Sequence, residues 1–261
     1  MVPRTSQRFR RFRLCREGTK CQILTTRKLI GRWTGERIGF CDVVSPTNQR
    51  TLVASLIPGH VICGDKVPTI TFDPPSPELM VLWVGIANSF AIDFVARKKV
   101  ALKMSYTVLD SLPLPRRFTG SAIEIEIARR SLRLAATGPE MRTFWNSTVP
   151  LLGLDPDTSD PCERVDERRR LRAEIDVLVA RDVFGLTVDE IRYVLDPSDI
   201  LGEDCEFETF GALKRAEKRE FNTFLSRDLI VEAWQRLPSP EPAGVGDATA
   251  SSQRRLVGVG S

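Results

Sequence analysis

"PELMVLWVGIANSFAIDFVARKKV", residues 77–100, decides what kind of fold this chain has. Leu79, Leu82, Trp83, Ile86, Phe90 and Phe94 recur at three- and four-residue intervals, the period of an α-helix. Most positions between them are apolar too, so the pattern predicts one helix buried on nearly every side. A membrane span is the competing reading. Asn88, Ser89 and Asp93 interrupt the run, and the uninterrupted apolar part falls short of the roughly 20 residues that a bilayer requires. The stretch is therefore read as a core helix, with no membrane partner.

Upstream of it the pattern changes. "CQILTTRKLIGRW", "RIGFCDVV", "TLVASLIP" and "HVICG" are short β-rich runs separated by Gly35, Ser45-Pro46, Pro58-Gly59 and Gly64-Asp65, as in a small meandering sheet. His60 belongs to the turn "IPGHVICG". Downstream, Ile123, Ile127, Leu132 and Leu134 place a helix over 121–136. Leu171, Ile175, Leu178 and Val179 define another after Cys162, which Gly185 stops. Thr187 and Glu190 have capping-box spacing and start a third, ended by Pro197. A last helix is expected from about Thr209 to Leu237.

The fold class is thus α+β. A basic arm (1–20) precedes a β-rich part with helices (21–136). A Pro-, Gly- and Asp-rich linker (137–162) leads to a helical part (163–237), and a Ser/Pro/Gly-rich tail (238–261) is expected to be disordered. The 261 residues, 42% hydrophobic and 28% charged, are enough to bury a core without staples. Net charge is only +4, yet residues 1–40 hold eleven lysines and arginines against Glu17 and Glu36. A basic beginning on a slightly acidic body fits a polyanion partner, and equally a solvated arm.

Several chemistries are excluded. Six cysteines without C-x-x-C spacing, and no signal-peptide pattern, indicate reduced thiols and a cytoplasmic location. His60 is the only histidine, which removes His-dependent zinc clusters and two-histidine acid–base work. Asp73-Pro74-Pro75-Ser76 has the outline of the Asp/Asn/Ser-Pro-Pro-aromatic motif of DNA amino-methyltransferases. Ser76, however, offers no face for stacking a flipped base. No glycine-rich strand–turn–helix for S-adenosylmethionine precedes it, and the Gly-Val-Gly pairs at 244–246 and 258–260 open no helix. The motif is read as a rigid lead-in, with Ser76 or Pro77 at the first helical turn. Asp199, Glu203, Asp204, Glu206 and Glu208 form an acidic cluster with no lysine brought to it by a strand. A small metal-dependent endonuclease built on this cluster is one candidate function.

Four stretches in order resemble adenine-specific DNA methyltransferases of restriction-modification systems, including the single-chain type IIG restriction enzymes. In "VVSPTNQRTLVASLIPGHVICGDKVPTI" the matching residues are Asn48, Arg50, Thr51, Pro58, Gly64 and Pro68. In "LWVGIANSFAIDFVARKKVALKMSYTVLDSLPLP" they are Asn88, Ser89, Asp93, Lys98, Leu112, Pro113 and Pro115. "LRAEIDVLVARDVFGLTVDEIRYVLD" and "ETFGALKRAEKREFNTFLSRDLIVEAW" resemble the helical end of such proteins. The resemblance covers about Arg37 to Leu237 and implies the C-terminal target-recognition portion, without the cofactor-binding and Asn-Pro-Pro-Tyr regions. It implies no catalytic residues and no cofactor in this chain. S-adenosylmethionine, and Mg2+ for a nuclease, would belong to a methyltransferase or nuclease domain or subunit. A fragment, a subunit and an inactive remnant all fit this description, and the acidic-cluster endonuclease stands as the alternative to it. The expected partner is double-stranded DNA, met by Arg27, Lys28, Arg32, Asn48, Arg50, Lys66, Lys98 and Lys103. Lysine and arginine would neutralise phosphates, while arginine suits guanine and asparagine suits adenine. For Arg50 an internal pair with Asp42 or Asp65 is the competing role.

Overall fold

The structure is a computed structural model that describes residues 34–202 and 204–238. The expectations for the arm, for the first β-run up to Trp33 and for the tail beyond Pro238 lie outside these residues.

A three-stranded antiparallel sheet has the order β2-β1-β3, from β1 (Arg37–Phe40), β2 (Ala54–Ile57) and β3 (Thr69–Ile70). Ile38 is paired with Leu56 on one side and with Ile70 on the other. The three side chains share one face, as residues directly opposite in a ladder do, and all are buried. "HVICG" forms no strand. It is a loop begun by His60, whose φ of 62° turns the chain, and the buried Arg37 guanidinium donates to the Val61 carbonyl inside it.

The sheet packs on α1 (Pro77–Ala87), every residue of which from Leu79 to Ala87 is buried. Ser76 caps this helix, its hydroxyl accepting from the Leu79 N–H at 3.2 Å, and Pro77 occupies the first turn. The Asp73-Pro74-Pro75-Ser76 motif is thus a helix lead-in. The single helix expected over 77–100 is two. After α1 the chain bends by 70° into α2 (Phe90–Lys99). The break follows from the Asn88-Ser89 pair. Asn88 closes α1, its side-chain amide donating to the Val84 carbonyl at 2.9 Å. Ser89 caps α2 through Ile92 N–H and returns its own hydroxyl to the Ile86 carbonyl at 2.8 Å. Short polar side chains that satisfy orphan backbone groups stabilise a helix end more than continuation. Among the described residues no single helix is long and apolar enough to cross a membrane.

After α3 (Tyr106–Asp110), α4 (Ala122–Ala135) lies across α1. Gly85 permits the close approach. A β-carbon there would meet Ile127 Cγ2 at 3.0 Å and Ser131 Cβ at 3.1 Å. The expected linker 137–162 is instead a packed segment. It contains α5 (Arg142–Thr148), and Met141, Phe144, Trp145, Val149 and Leu152 are buried in the main core. Its prolines and glycines shape tight turns around those apolar anchors, which composition alone reads as a linker.

The helical end comprises α6 (Val165–Val177), continued by a π-helical turn over 178–183 and stopped at Gly185, then α7 (Val188–Leu195), α8 (Ser198–Leu201), α9 (Gly211–Phe221) and α10 (Leu225–Arg236). The capping box of Thr187 and Glu190 is formed. The last expected helix is two, divided where Asn222 adopts a left-handed conformation (φ 60°) and ends α9. The two halves share their interior. Ile175, Leu178 and Val179 join the core of the sheet and α1, and Phe90 from α2 joins the core of the C-terminal helices.

Candidate nucleic-acid interface

The recognition candidates fall into two groups, one buried and one exposed. The buried group is organised by Asp93, whose side chain has no solvent exposure. One carboxylate oxygen accepts the N–H groups of Thr51 at 2.8 Å and Leu52 at 2.6 Å. The other lies 3.1 Å from Arg97 Nε and 3.8 Å from Arg50 Nε. A buried carboxylate needs such partners, since ionisation without them is prohibitive. Arg97 then spreads its charge over four carbonyls: Pro46 at 2.5 Å, Asn48 and Gln49 at 2.8 Å each, and Thr209 at 3.1 Å. Its guanidinium stacks 4.2 Å over the Phe210 ring. Burial pulls the Arg97 pKa below the ordinary arginine value, and Asp93 pushes back. The turn 45–50 is therefore clamped to α2 and to the start of α9 by one side chain.

Arg50, half-buried, joins this group. It donates to the Asn88 carbonyl, stacks 4.0 Å over the Phe90 ring and faces Asp93. Its internal partner is thus Asp93, whereas Asp42 pairs with Lys103 and Asp65 with Lys66. Asn88 reads the edge of β2 in the manner of a neighbouring strand. Its Oδ1 accepts the Ala54 N–H at 3.1 Å and its Nδ2 donates to the Ala54 carbonyl at 2.8 Å. Asn48, Arg50 and Thr51 from one block and Asn88 and Asp93 from the other, about forty residues apart, meet in this network.

The exposed group lies on the loops above the sheet. Asp42 N–H donates to the Lys66 carbonyl at 3.1 Å, Met104 N–H donates to the Asp42 carbonyl at 2.9 Å, and Val43 bridges to Lys103. Three loops are thus tied into one rim that carries Lys66 and Lys103 on either side of Asp42. Both lysines are more than half exposed, as are Val43 and Leu102 beside them. Asn48 is exposed on its clamped turn. Lys98, on α2, lies over the Phe207 ring at 4.6 Å and the Phe94 ring at 5.4 Å. Arg27, Lys28 and Arg32 lie outside the described residues.

Sequence reasoning missed Arg97 and Arg37, the side chains that hold the loops. The Asp93–Arg97 spacing of four on one helix was an available signal. The acidic cluster is dispersed. Asp199 pairs with Arg192 at 2.8 Å and Arg227 at 3.3 Å, and Glu208 pairs with Arg215 at 2.5 Å, while Glu203 is outside the described residues. Among the described residues no three His, Cys, Asp or Glu side chains gather as a metal-ligand set.

No family model, no curated protein and no solved structure matches this chain.

Proposed function

We propose that the chain is a sequence-specific double-stranded DNA recognition module of a restriction-modification adenine methyltransferase or endonuclease, acting in the cytoplasm. The observation that carries this reading is the contrast within the candidate site. Asp93, Arg97 and Asn88 fix the backbone of 45–54, while Asn48, Lys66 and Lys103 project from tied loops into solvent. Recognition of a duplex calls for that division: a rigid frame, flexible cations for phosphates, and an amide able to pair with an adenine edge. Methyl transfer or cleavage would come from a separate domain or subunit, to which S-adenosylmethionine and Mg2+ belong.

The test is duplex binding as a function of salt. A phosphate-reading surface loses affinity linearly in log–log form as salt rises. Lys66→Gln and Lys103→Gln should weaken binding, and Asn48→Ala should flatten preference among sites without altering the salt slope. Equal behaviour of all three variants and the wild type would remove these loops from the reading.

A further inference from the structure

A second feature lies away from the rim. A half-open cavity of about 660 Å³ separates the β2 edge and α1 from the C-terminal helices, between α6 on one side and α9 with α10 on the other. Its apolar floor includes the partly exposed side chains of Leu134, Leu213 and Leu229. Four arginines line it: Arg50, Arg168, Arg169 and Arg172. Three sit on one stretch of α6, and Arg168 and Arg172, four residues apart, share a face of that helix.

Their partners differ. Arg50 is committed to Asp93 and the Asn88 carbonyl. Arg168 donates to the Cys162 carbonyl at 2.6 Å, and Arg169 pairs with Asp166 at 3.0 Å while stacking 4.7 Å from the Phe221 ring. Arg172 is exposed at the cleft and makes no hydrogen bond or ion pair among the described residues. Desolvation in the cleft lowers its pKa, and the neighbouring charges of Arg168, Arg50 and Arg169 lower it further against the pull of Asp176. Three carboxylates also line the cleft. Asp176 accepts the Phe90 N–H at 2.6 Å, and Glu217 accepts from the Ser226 N–H and hydroxyl at 2.8 and 2.5 Å. Glu220, on α9, is the one of the three with no such bond among the described residues. Arg168 and Arg172 thus place two like charges on the cleft wall with no ion-pairing carboxylate among the described residues, which leaves guanidinium donors free to meet an anion there.

We propose that this cleft is a binding site for a nucleotide phosphate, with Arg172 and Arg168 as its principal ligands. Guanidinium groups match phosphate oxygens in paired hydrogen bonds. A dianionic phosphate answers more of the α6 charge than a carboxylate does. The cavity falls in the range that holds a small ligand, and its apolar floor suits the flat face of a base. Arg50 supplies fixed background charge. The phosphate can belong to a free nucleotide or to a nucleic-acid strand. This site is independent of the proposed duplex contacts, because Lys66 and Lys103 are not on its walls.

The test uses the full chain in calorimetric titrations with adenosine monophosphate and, separately, with a short single-stranded oligonucleotide. Arg172→Gln is compared with Arg170→Gln, which removes the same charge from an exposed position of α6 outside the cavity lining. Saturable binding weakened at least tenfold by Arg172→Gln and less than twofold by Arg170→Gln is the expected result. Binding of the mononucleotide identifies a free nucleotide as the source, and binding of the oligonucleotide alone identifies a strand. A phosphate-dependent rise in the melting temperature of the wild type, absent in Arg168→Gln, gives a reading that does not depend on one variant. No saturable binding of either probe at millimolar concentration, or equal weakening by Arg172→Gln and Arg170→Gln, overturns the proposal.

Discussion

Asp93 and Arg97 face each other across one turn of α2, 3.1 Å apart and both buried. Through this pair the amides of Thr51 and Leu52 and the carbonyls of residues 46, 48 and 49 are held by one helix. Asp93→Ala leaves buried Arg97 without its counter-ion and the Thr51 and Leu52 amides without an acceptor. Breaking a buried pair from one side costs about 3–5 kcal/mol, and urea unfolding should record a loss of that size. Asp93→Asn keeps an acceptor and should lose less. An unchanged midpoint for Asp93→Ala would mean the network is not what fixes the 45–54 backbone.

Asn88 joins α1 to β2 through two hydrogen bonds to Ala54. Each contributes about 1 kcal/mol, with a further penalty for the backbone groups left bare. Asn88→Ala should lower stability by about 2–3 kcal/mol, and amide exchange at Ala54 should quicken more than at Ile38 on the central strand. Equal exchange at both positions would contradict the bracket.

The sequence made the apolar helix, the strands β1 and β2, the capping box and the Ser76 lead-in legible, because each rests on local periodicity or on one side chain closing its own backbone. Tertiary packing was not legible in the same way. Phe144 and Trp145 look like isolated aromatics in a Pro- and Gly-rich stretch, and only the core they enter shows that the stretch is packed. Asn88-Ser89 was visible as an interruption, yet the 70° bend depends on Asn88 finding Ala54. Arg50 showed its charge but not its partner, Asp93, forty-three residues away. In the sequence the Arg168-Arg169-Arg170 run fits a solvated face and a DNA contact equally, and it is the apposition of α9 and α10 that puts Arg168 and Arg169, with Arg172, on a cleft wall.

Burial raises Asp176 to about 7, against the opposing pull of Arg50 and the Phe90 N–H. In the unfolded chain the same carboxyl titrates near 4. Its contribution to stability is therefore complete below about pH 4 and is lost as pH rises through 7. Asp176→Asn, which keeps an acceptor for Phe90, should remove this dependence. The difference in unfolding free energy between wild type and Asp176→Asn should shift with a slope approaching ~1.4 kcal/mol per pH unit between the two pKa values. A difference that stays constant from pH 5 to pH 8 would show that Asp176 titrates normally.

Lys66 and Lys103 are exposed, and their carboxylate partners, at 3.1 and 3.8 Å, are surface ion pairs worth little to the fold. Lys66→Gln and Lys103→Gln should leave the melting temperature unchanged. Each should make the dependence of log affinity on log salt less steep by about 1. A loss of stability without a change of slope would assign the lysines to the scaffold.

In the proposed function the folded chain selects duplex DNA and takes its reactivity from a separate part. The most direct measurement is fluorescence-anisotropy titration of the full chain with a pool of duplexes from low to physiological salt, with the same samples assayed for methylation and cleavage. Binding that weakens steeply with salt, a preference for a subset of duplexes, and no chemical change to the DNA are the expected results. Absence of binding at the lowest salt by folded protein, or methylation or cutting by the chain alone, would contradict the proposed function.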